Sequence, residues 1–187
     1  MTGRTWHLSS ALPLFAAIWP VAAQAEPNKV EVVSDDSGIK LLVDGKPTLV
    51  RGMNWEYVPI GENYSYDLWE QDDAFIKRVL DSEMSMMQEM GVNVIRLFSY
   101  MPPRWIEYVY DRYGIMVAVN HLLGRYGFEV NGAMVANTDY GDPATRKAIL
   151  DDVRATVERY RDTRGVLMFL LGNENNYGLQ WTSFEIE

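Results

Sequence analysis

Polar and aromatic side chains follow four apolar stretches of this sequence. Asparagines are the most frequent, and they are accompanied by an arginine, a histidine, aromatic residues and one carboxylate. Amides can hydrogen-bond to hydroxyl groups, and aromatic faces can stack on sugar rings, so this set suits a neutral polyhydroxylated ligand. The candidate site residues are Glu174, Asn173, Arg96, His121, Trp55, Asn54 and Tyr100.

The stretch before Asn173 predicts a buried parallel strand. A surface strand alternates polar and apolar residues because one of its faces meets water, whereas residues 166–171 are all apolar. Such a run fits a strand that is covered on both faces, or else a buried helix segment. Gly165 and Gly172 on either side favour the strand. Because the C-terminal ends of parallel strands face the ligand crevice, residues 173–176 are expected there.

Strands and amphipathic helices alternate before this segment. The other strands are predicted to end near Asn54 and to span residues 93–98 and 115–119, and the helices to span residues 69–90, 102–113 and 143–160. Parallel crossovers follow from this alternation. An open doubly wound sheet and a (β/α)₈ barrel both begin this way. No glycine-rich phosphate loop follows any of the strands, which favours the barrel.

Two segments lie outside the alternation. Residues 29–33 and 39–43 predict a short entry hairpin, and Asp44-Gly45 marks the next turn. Residues 124–141 contain glycines and asparagines without a clear period, and long loops of this kind are often functional. The expected fold class is α/β: a partial (β/α)₈ TIM barrel of about the first four βα units, preceded by a short β-hairpin.

The first 25 residues have the organisation of a secretory signal peptide. Basic residues precede an apolar stretch over residues 8–23, and residues 23–25 have the small-x-small form of a cleavage site. A membrane anchor is the alternative, but two prolines interrupt a stretch shorter than the roughly 20 residues that span a bilayer. We expect cleavage after Ala25, a mature domain over residues 26–187, a secreted or periplasmic location, and no membrane association after cleavage.

Composition excludes several classes of function. The formal net charge is −9 and there is no basic run, which argues against nucleic acid as a partner. The chain has no cysteine and 2 histidines, one of them in the signal segment, so disulfides, thiolate catalysis and a multi-histidine metal site are excluded. No cofactor and no metal are expected.

Several motifs together resemble one enzyme family. Asn173-Glu174, which closes the fourth strand, looks like the acid/base signature of the clan A (β/α)₈ glycoside hydrolases. Residues 91–97 (GVNVIRL) are similar to the second strand of that clan, and residues 111–115 (DRYGI) to its next unit. Residues 43–47 (VDGKP) and 51–54 (RGMN) resemble the approach to the barrel in glycoside hydrolase family 2. The resemblance covers residues 39 to 179, the N-terminal half of such a barrel.

The resemblance implies a retaining mechanism on β-linked sugars. Glu174 would protonate the glycosidic oxygen and later deprotonate water, while Asn173 would bind the sugar 2-hydroxyl. Arg96 would support carboxylates in the site, and His121 and Trp55 would line the sugar subsite. In this clan the nucleophile closes the seventh strand. The chain ends shortly after its fourth strand, so we expect it to lack glycosidase activity alone and to expose the edge of that strand to self-association.

Other interpretations remain open. The parent reaction could be a β-glucanosyl transfer, the chain could be a non-catalytic carbohydrate-binding remnant, or it could be an unrelated interaction scaffold. Glu174 could cap a helix, Arg96 could serve in an ion pair, His121 could be a structural histidine, and Trp55 could belong to the core.

Overall fold

The computed structural model describes residues 26–125, 127–135 and 138–173. The predicted signal segment and Glu174 lie outside these ranges. Two antiparallel pairings join β1 (Val30–Asp35), β2 (Gly38–Val43) and β3 (Lys46–Pro47). The turn between β2 and β3 has positive φ at both Asp44 (50°) and Gly45 (75°), which Asp-Gly tolerates. The predicted entry hairpin and its Asp-Gly turn are therefore confirmed.

Strands and helices then alternate as the sequence indicates. The order is β4 (Gly52–Asn54), α1 (Asp73–Glu89), β5 (Val94–Arg96), α2 (Pro103–Tyr113), β6 (Met116–His121), β7 (Phe128–Val130), β8 (Ala133–Val135), α3 (Pro143–Tyr160) and β9 (Val166–Leu171). One parallel sheet has the strand order β4-β5-β6-β9. This order follows the chain without the reversal that marks a doubly wound sheet. It is the arrangement with which a (β/α)₈ barrel begins.

Local signals fix where the helices begin and end. The Asp72 side chain accepts a hydrogen bond from Phe75 N (2.8 Å) at the start of α1, and Asp142 accepts one from Thr145 N (2.7 Å) at the start of α3. Gly114 ends α2 with a φ of 66°, the left-handed conformation that glycine adopts without a Cβ clash. None of the helices in the described ranges combines the length and the apolar character that crossing a bilayer requires.

The two faces of the parallel sheet have different partners. Ile95, Val117 and Val119 pack with α1 and α2 in the main hydrophobic core. Val94 and Ala118 point to the opposite face and belong to a second cluster, which includes Val43 of the hairpin. Successive strand residues alternate between faces, so Arg96 and Asn120 share the second face. The helices thus cover one face, and Arg96 and Asn120 belong to the other.

Two segments differ from the expectation. Within residues 124–141 the chain forms the β7–β8 hairpin, whose strands of three residues each are too short for a period to be recognised in the sequence. The first parallel strand is shorter than predicted, since only residues 52–54 pair in the ladder. The chain before β4 is held by Asn93: its side chain accepts from Arg51 N (2.8 Å) and donates to Leu49 O (2.9 Å), and its backbone N–H donates to Arg51 O (3.0 Å).

Candidate active site

Arg96 joins the ends of three neighbouring parallel strands. It is the last residue of β5, and its Nη2 donates to Asn173 Oδ1 (2.8 Å), which follows β9, and to Asn120 Oδ1 (3.2 Å) on β6. The strand parity that puts Arg96 and Asn120 on one face allows this contact. We call these three residues the Arg96 cluster. It brings together two of the predicted site residues, Arg96 and Asn173.

The Arg96 cluster retains polar atoms that can bind a further group. The guanidinium lies 4.5 Å from the centroid of the Phe98 ring, a cation–π contact that holds it in place. Among the described residues, the buried Arg96 Nε and Asn120 Nδ2 have no hydrogen-bond partner. Both are donors, and a buried donor without an acceptor is costly. The cluster is therefore suited to an acceptor such as a carboxylate or a ligand hydroxyl oxygen.

Asn54 lies beside this cluster at the end of β4. It pairs in register with Arg96, and both line a cavity of about 300 Å³ on the second face of the sheet. The other lining residues are apolar, among them Ala118 and Met168. A largely apolar cavity with a few convergent polar groups is the usual form of a small-molecule site.

Trp55 and Tyr100 line a separate cavity of about 230 Å³. Trp55 is buried within the main core and donates its backbone N–H to Arg96 O (3.0 Å). Tyr100 is half exposed and lies 6.2 Å from the Tyr160 ring, centroid to centroid. Burial raises the pKa of Tyr160 to about 12, and its hydroxyl donates to Met101 O. These two predicted site residues are near the strand ends but belong to a different cavity from Asn54 and Arg96.

His121 lies away from the Arg96 cluster. Its ring is buried on the helix-covered side of β6, where Nε2 contacts Asp152 Oδ2 of α3 at 2.9 Å. Nδ1 accepts a hydrogen bond from Leu123 N (3.0 Å), so Nε2 carries the proton and donates to Asp152. Strand alternation directs the His121 and Asn120 side chains to opposite faces of the sheet, although both residues line a cavity of about 280 Å³ beside Asp152. In this arrangement the histidine anchors α3 to the end of β6.

Asn120 is the cluster residue that sequence reasoning left outside the candidate set. Ala118 pairs with Arg96 in the ladder, and Asn120 comes two residues later on the same strand. Residues two apart on a strand share a face, and this spacing could have indicated Asn120 from the sequence. Glu174, the predicted acid/base residue, lies outside the described residues. The structure gives the position of Asn173, which directly precedes it in the sequence. Among the described residues, no group of His, Asp and Glu side chains could hold a metal ion.

The chain matches one protein family over most of its length. The family described as "Glycosyl hydrolases family 2, TIM barrel domain" matches residues 37–185. Among curated proteins, a beta-galactosidase of Arthrobacter sp. (strain B7) is 28% identical over 150 residues, and one of Pectobacterium atrosepticum is 28% identical over 139 residues. These alignments cover 80% and 74% of this chain, but only 13% and 12% of the relatives. The chain thus spans about an eighth of the length of these relatives.

Solved structures show the same fold. A beta-glucuronidase of Parabacteroides merdae superposes with a TM-score of 0.53 at 22% identity, covering 83% of this chain and 17% of that enzyme. Beta-glucuronidase 3 of Bacteroides uniformis gives a TM-score of 0.53 at 20% identity, with the same coverage. At these identities the likeness concerns the fold. It agrees with the parallel strand order and one-sided helices described above.

Proposed function

Because this chain belongs to the TIM-barrel family of the family 2 glycosyl hydrolases, we propose that it carries the acid/base half of a retaining β-glycosidase site. The observation that carries the proposal is the bond from Arg96 Nη2 to Asn173 Oδ1. It holds the residue before Glu174 at the C-terminal ends of three adjacent parallel strands, where TIM-barrel enzymes have their active sites. We propose that Glu174, the next residue in the sequence, acts at this edge.

The proposed chemistry divides between two neighbouring side chains. Glu174 donates a proton to the glycosidic oxygen as the bond to the leaving group breaks, and it later takes a proton from the attacking water. Asn173 binds the sugar 2-hydroxyl, with its amide held by Arg96. This hydrogen bond strengthens in the oxocarbenium-like transition state, so it lowers the barrel enzyme's activation free energy.

A retaining reaction also requires a carboxylate nucleophile about 5–5.5 Å from the acid. Among the described residues, the buried donors Arg96 Nε and Asn120 Nδ2 have no hydrogen-bond partner, and both suit such a group. We propose that Arg96 supports the nucleophile in the complete barrel. A guanidinium beside a carboxylate favours its ionised form, which is the form that attacks.

A non-catalytic carbohydrate-binding role is the second candidate. The observation that favours it is the aromatic cavity around Trp55, which shares no lining residue with the cavity beside Arg96. In that case the amides and aromatic rings bind sugar without chemistry.

We also propose export to the periplasm or secretion, on the basis of residues 1–25. Edman sequencing of the secreted protein should begin at Glu26, and retention of residues 1–25 would contradict it.

The test of the catalytic proposal measures binding and turnover on the same protein. A piperidine iminosugar, which imitates the charge of a glycosyl cation, should shift the side-chain amide NMR signals of Asn120 and Asn173. Its affinity should fall at least tenfold in Glu174→Gln, because the ion pair with the carboxylate is lost. Glu129→Gln, at an exposed site on β7, is the matched control and should bind as the parent does.

Turnover separates the two candidates further. Any hydrolysis of aryl β-glycosides should disappear in Glu174→Gln and persist in Glu129→Gln. Iminosugar binding that is equal in the parent and Glu174→Gln would contradict the catalytic role and support the binding role. A lack of binding by either protein would contradict both.

A further inference from the structure

A second cavity at the strand ends is lined by aromatic rings that the Arg96 cluster does not use. It lies between the chain after β4 and the chain after β5, and we call it the aromatic cavity. None of the residues that line it also lines the cavity beside Arg96. Its walls are Trp55, Glu56, Tyr57, the segment 64–69, Leu97, Ser99, Tyr100 and Met101.

Local hydrogen bonds hold the aromatic walls in position before any ligand arrives. Asn63 Oδ1 accepts from both Ser65 N (2.8 Å) and Ser65 Oγ (2.7 Å), which closes a turn around Tyr64. Asp67 Oδ1 accepts from Trp69 N (2.7 Å) and caps the short 3₁₀ helix Leu68–Glu70. Binding then costs less conformational entropy, since the backbone that carries these aromatic residues is already ordered.

The rings are arranged as walls and a rim. Trp69 lies 6.4 Å from Trp55, centroid to centroid, with the ring planes tilted by 57°. Tyr57 and Tyr66 meet edge to face at 6.1 Å. Tyr64 is 89% exposed at the rim. An exposed tyrosine beside ordered aromatic walls offers a flat apolar surface with a hydroxyl at its end, which matches the faces of a pyranose ring.

Among the described residues, the charged side chains in the wall of the aromatic cavity are acidic. They are Glu56 and Asp67, and burial together with nearby Tyr57, Glu62 and Asp67 raises the pKa of Tyr66. Carboxylates accept hydrogen bonds from hydroxyl or ammonium groups but repel a sugar carboxylate. The wall therefore favours a ligand that is neutral or positively charged.

We propose that the aromatic cavity is a second saccharide subsite that takes a pyranose without negative charge, either a neutral hexose or an amino sugar. The subsite rests on the proposed function, since it would hold a further unit of the chain whose bond is cleaved at Glu174. Tyr64 and Trp69 stack on the ring, and Glu56 accepts hydrogen bonds from its polar edge. The acidic lining makes the subsite select against uronic acid units.

The test uses the full chain and four methyl β-glycosides: galactoside, glucoside, glucosaminide and glucuronide. The last three differ chiefly in charge, so they form a matched series. Indole N–H signals in NMR spectra report binding, and the Trp69 signal is assigned with Trp69→Phe. We expect at least one uncharged or amino glycoside to shift the Trp69 signal, with the glucuronide binding at least fivefold more weakly than the glucoside.

Three variants separate the subsite from a chance contact. Tyr64→Ala should weaken binding at least fivefold, whereas Ile60→Ala, a control at a fully exposed position of the same loop, should not change it. Glu56→Gln should reduce the discrimination against the glucuronide while leaving the Trp69 shift in place. A structural role for Glu56 would not change selectivity for charge.

The outcomes distinguish this proposal from the catalytic one. Equal binding of the glucuronide and the glucoside, or binding unaffected by Tyr64→Ala, would overturn the subsite. No shift of the Trp69 signal with any of the four glycosides would also overturn it. Binding that persists in Glu174→Gln assigns the sugar to the aromatic cavity, whereas iminosugar binding at Asn120 and Asn173 tests the catalytic site alone.

Discussion

Gly165 should be the position where a single added methyl group most damages the sheet that presents the site. It directly precedes β9 with a φ of +85°, and a Cβ built there would lie 2.6 Å from Tyr110 Cβ and 2.9 Å from Tyr110 Cγ. Tyr110 Cβ is fixed to the backbone of α2, so rotation of the side chain cannot relieve the overlap. Gly165→Ala therefore has two costs, one from the backbone conformation and one from overpacking.

The two costs can be added to an order of magnitude. The left-handed conformation costs a non-glycine residue about 1–2 kcal/mol, and overpacking in a closely packed site costs about 1–3 kcal/mol. Gly165→Ala should thus lower the free energy of unfolding by about 2–5 kcal/mol. For a domain of this size, each 1 kcal/mol shifts Tm by about 2–4 °C, so the melting temperature should fall by at least about 4 °C.

Gly114→Ala is the matched control for the backbone cost. Gly114 has a φ of +66° at the end of α2, and nothing lies within 4 Å of the place that a Cβ would occupy there. Urea unfolding followed by circular dichroism gives both free energies, and Gly165→Ala should exceed Gly114→Ala by about 1–3 kcal/mol. Equal losses would show that the contact between Gly165 and Tyr110 does not constrain β9, and the reasoning from close approach would be refuted.

Three further predictions follow from the contacts of single side chains. Burial and the hydrogen bond to Asp81 raise the pKa of Tyr108 from 10.0 to about 12. The stabilisation from this tyrosine is therefore complete below pH 10 and is lost as the pH rises towards 12. In urea unfolding, the free energy of unfolding of Tyr108→Phe should fall less over that interval than that of the parent. Arg96→Met removes the donor to the side-chain amides of Asn120 and Asn173. Iminosugar affinity in calorimetry should then fall about tenfold, the equivalent of about 1.4 kcal/mol, and unchanged affinity would contradict the role of the cluster. Asp152→Asn weakens the bond to His121 and should cost about 0.5–1.5 kcal/mol of unfolding free energy, without changing iminosugar affinity; a loss of affinity would place His121 in the site after all.

Hydrophobic periodicity predicted the helices and strands because the local sequence pattern and the tertiary packing favour the same structure in each of them. Residues 166–171 are apolar at every position, and they form β9, the last strand of the parallel sheet. The helix predicted over residues 143–160 forms α3, and Asp142 caps its first turn. The chain before β4 is held largely by the Asn93 side chain, which bonds to Arg51 N and Leu49 O. This interaction joins distant parts of the sequence, so no local pattern contains it.

The candidate site was predicted in its composition more than in its arrangement. Residue types at the strand ends indicated Arg96 and Asn173, which the structure joins. The same reasoning grouped His121 with them, although strand alternation turns its ring towards α3 and leaves Asn120 at the cluster. Trp55 and Tyr100 line the aromatic cavity instead. The loop that carries Tyr64 and Trp69 forms another wall of this cavity, and the turns within that loop set its position.

The central claim is that one carboxyl group stands beside the Arg96 cluster and transfers a proton to a glycosidic oxygen. A crystal structure of the chain with the piperidine iminosugar tests this most directly. We expect the Glu174 carboxylate on the same face of the sheet as Arg96 and Asn54, with one oxygen within about 2.6–3.2 Å of the inhibitor or of one bridging water. A Glu174 side chain on the α3 side of β9, with the inhibitor bound elsewhere, would contradict the account.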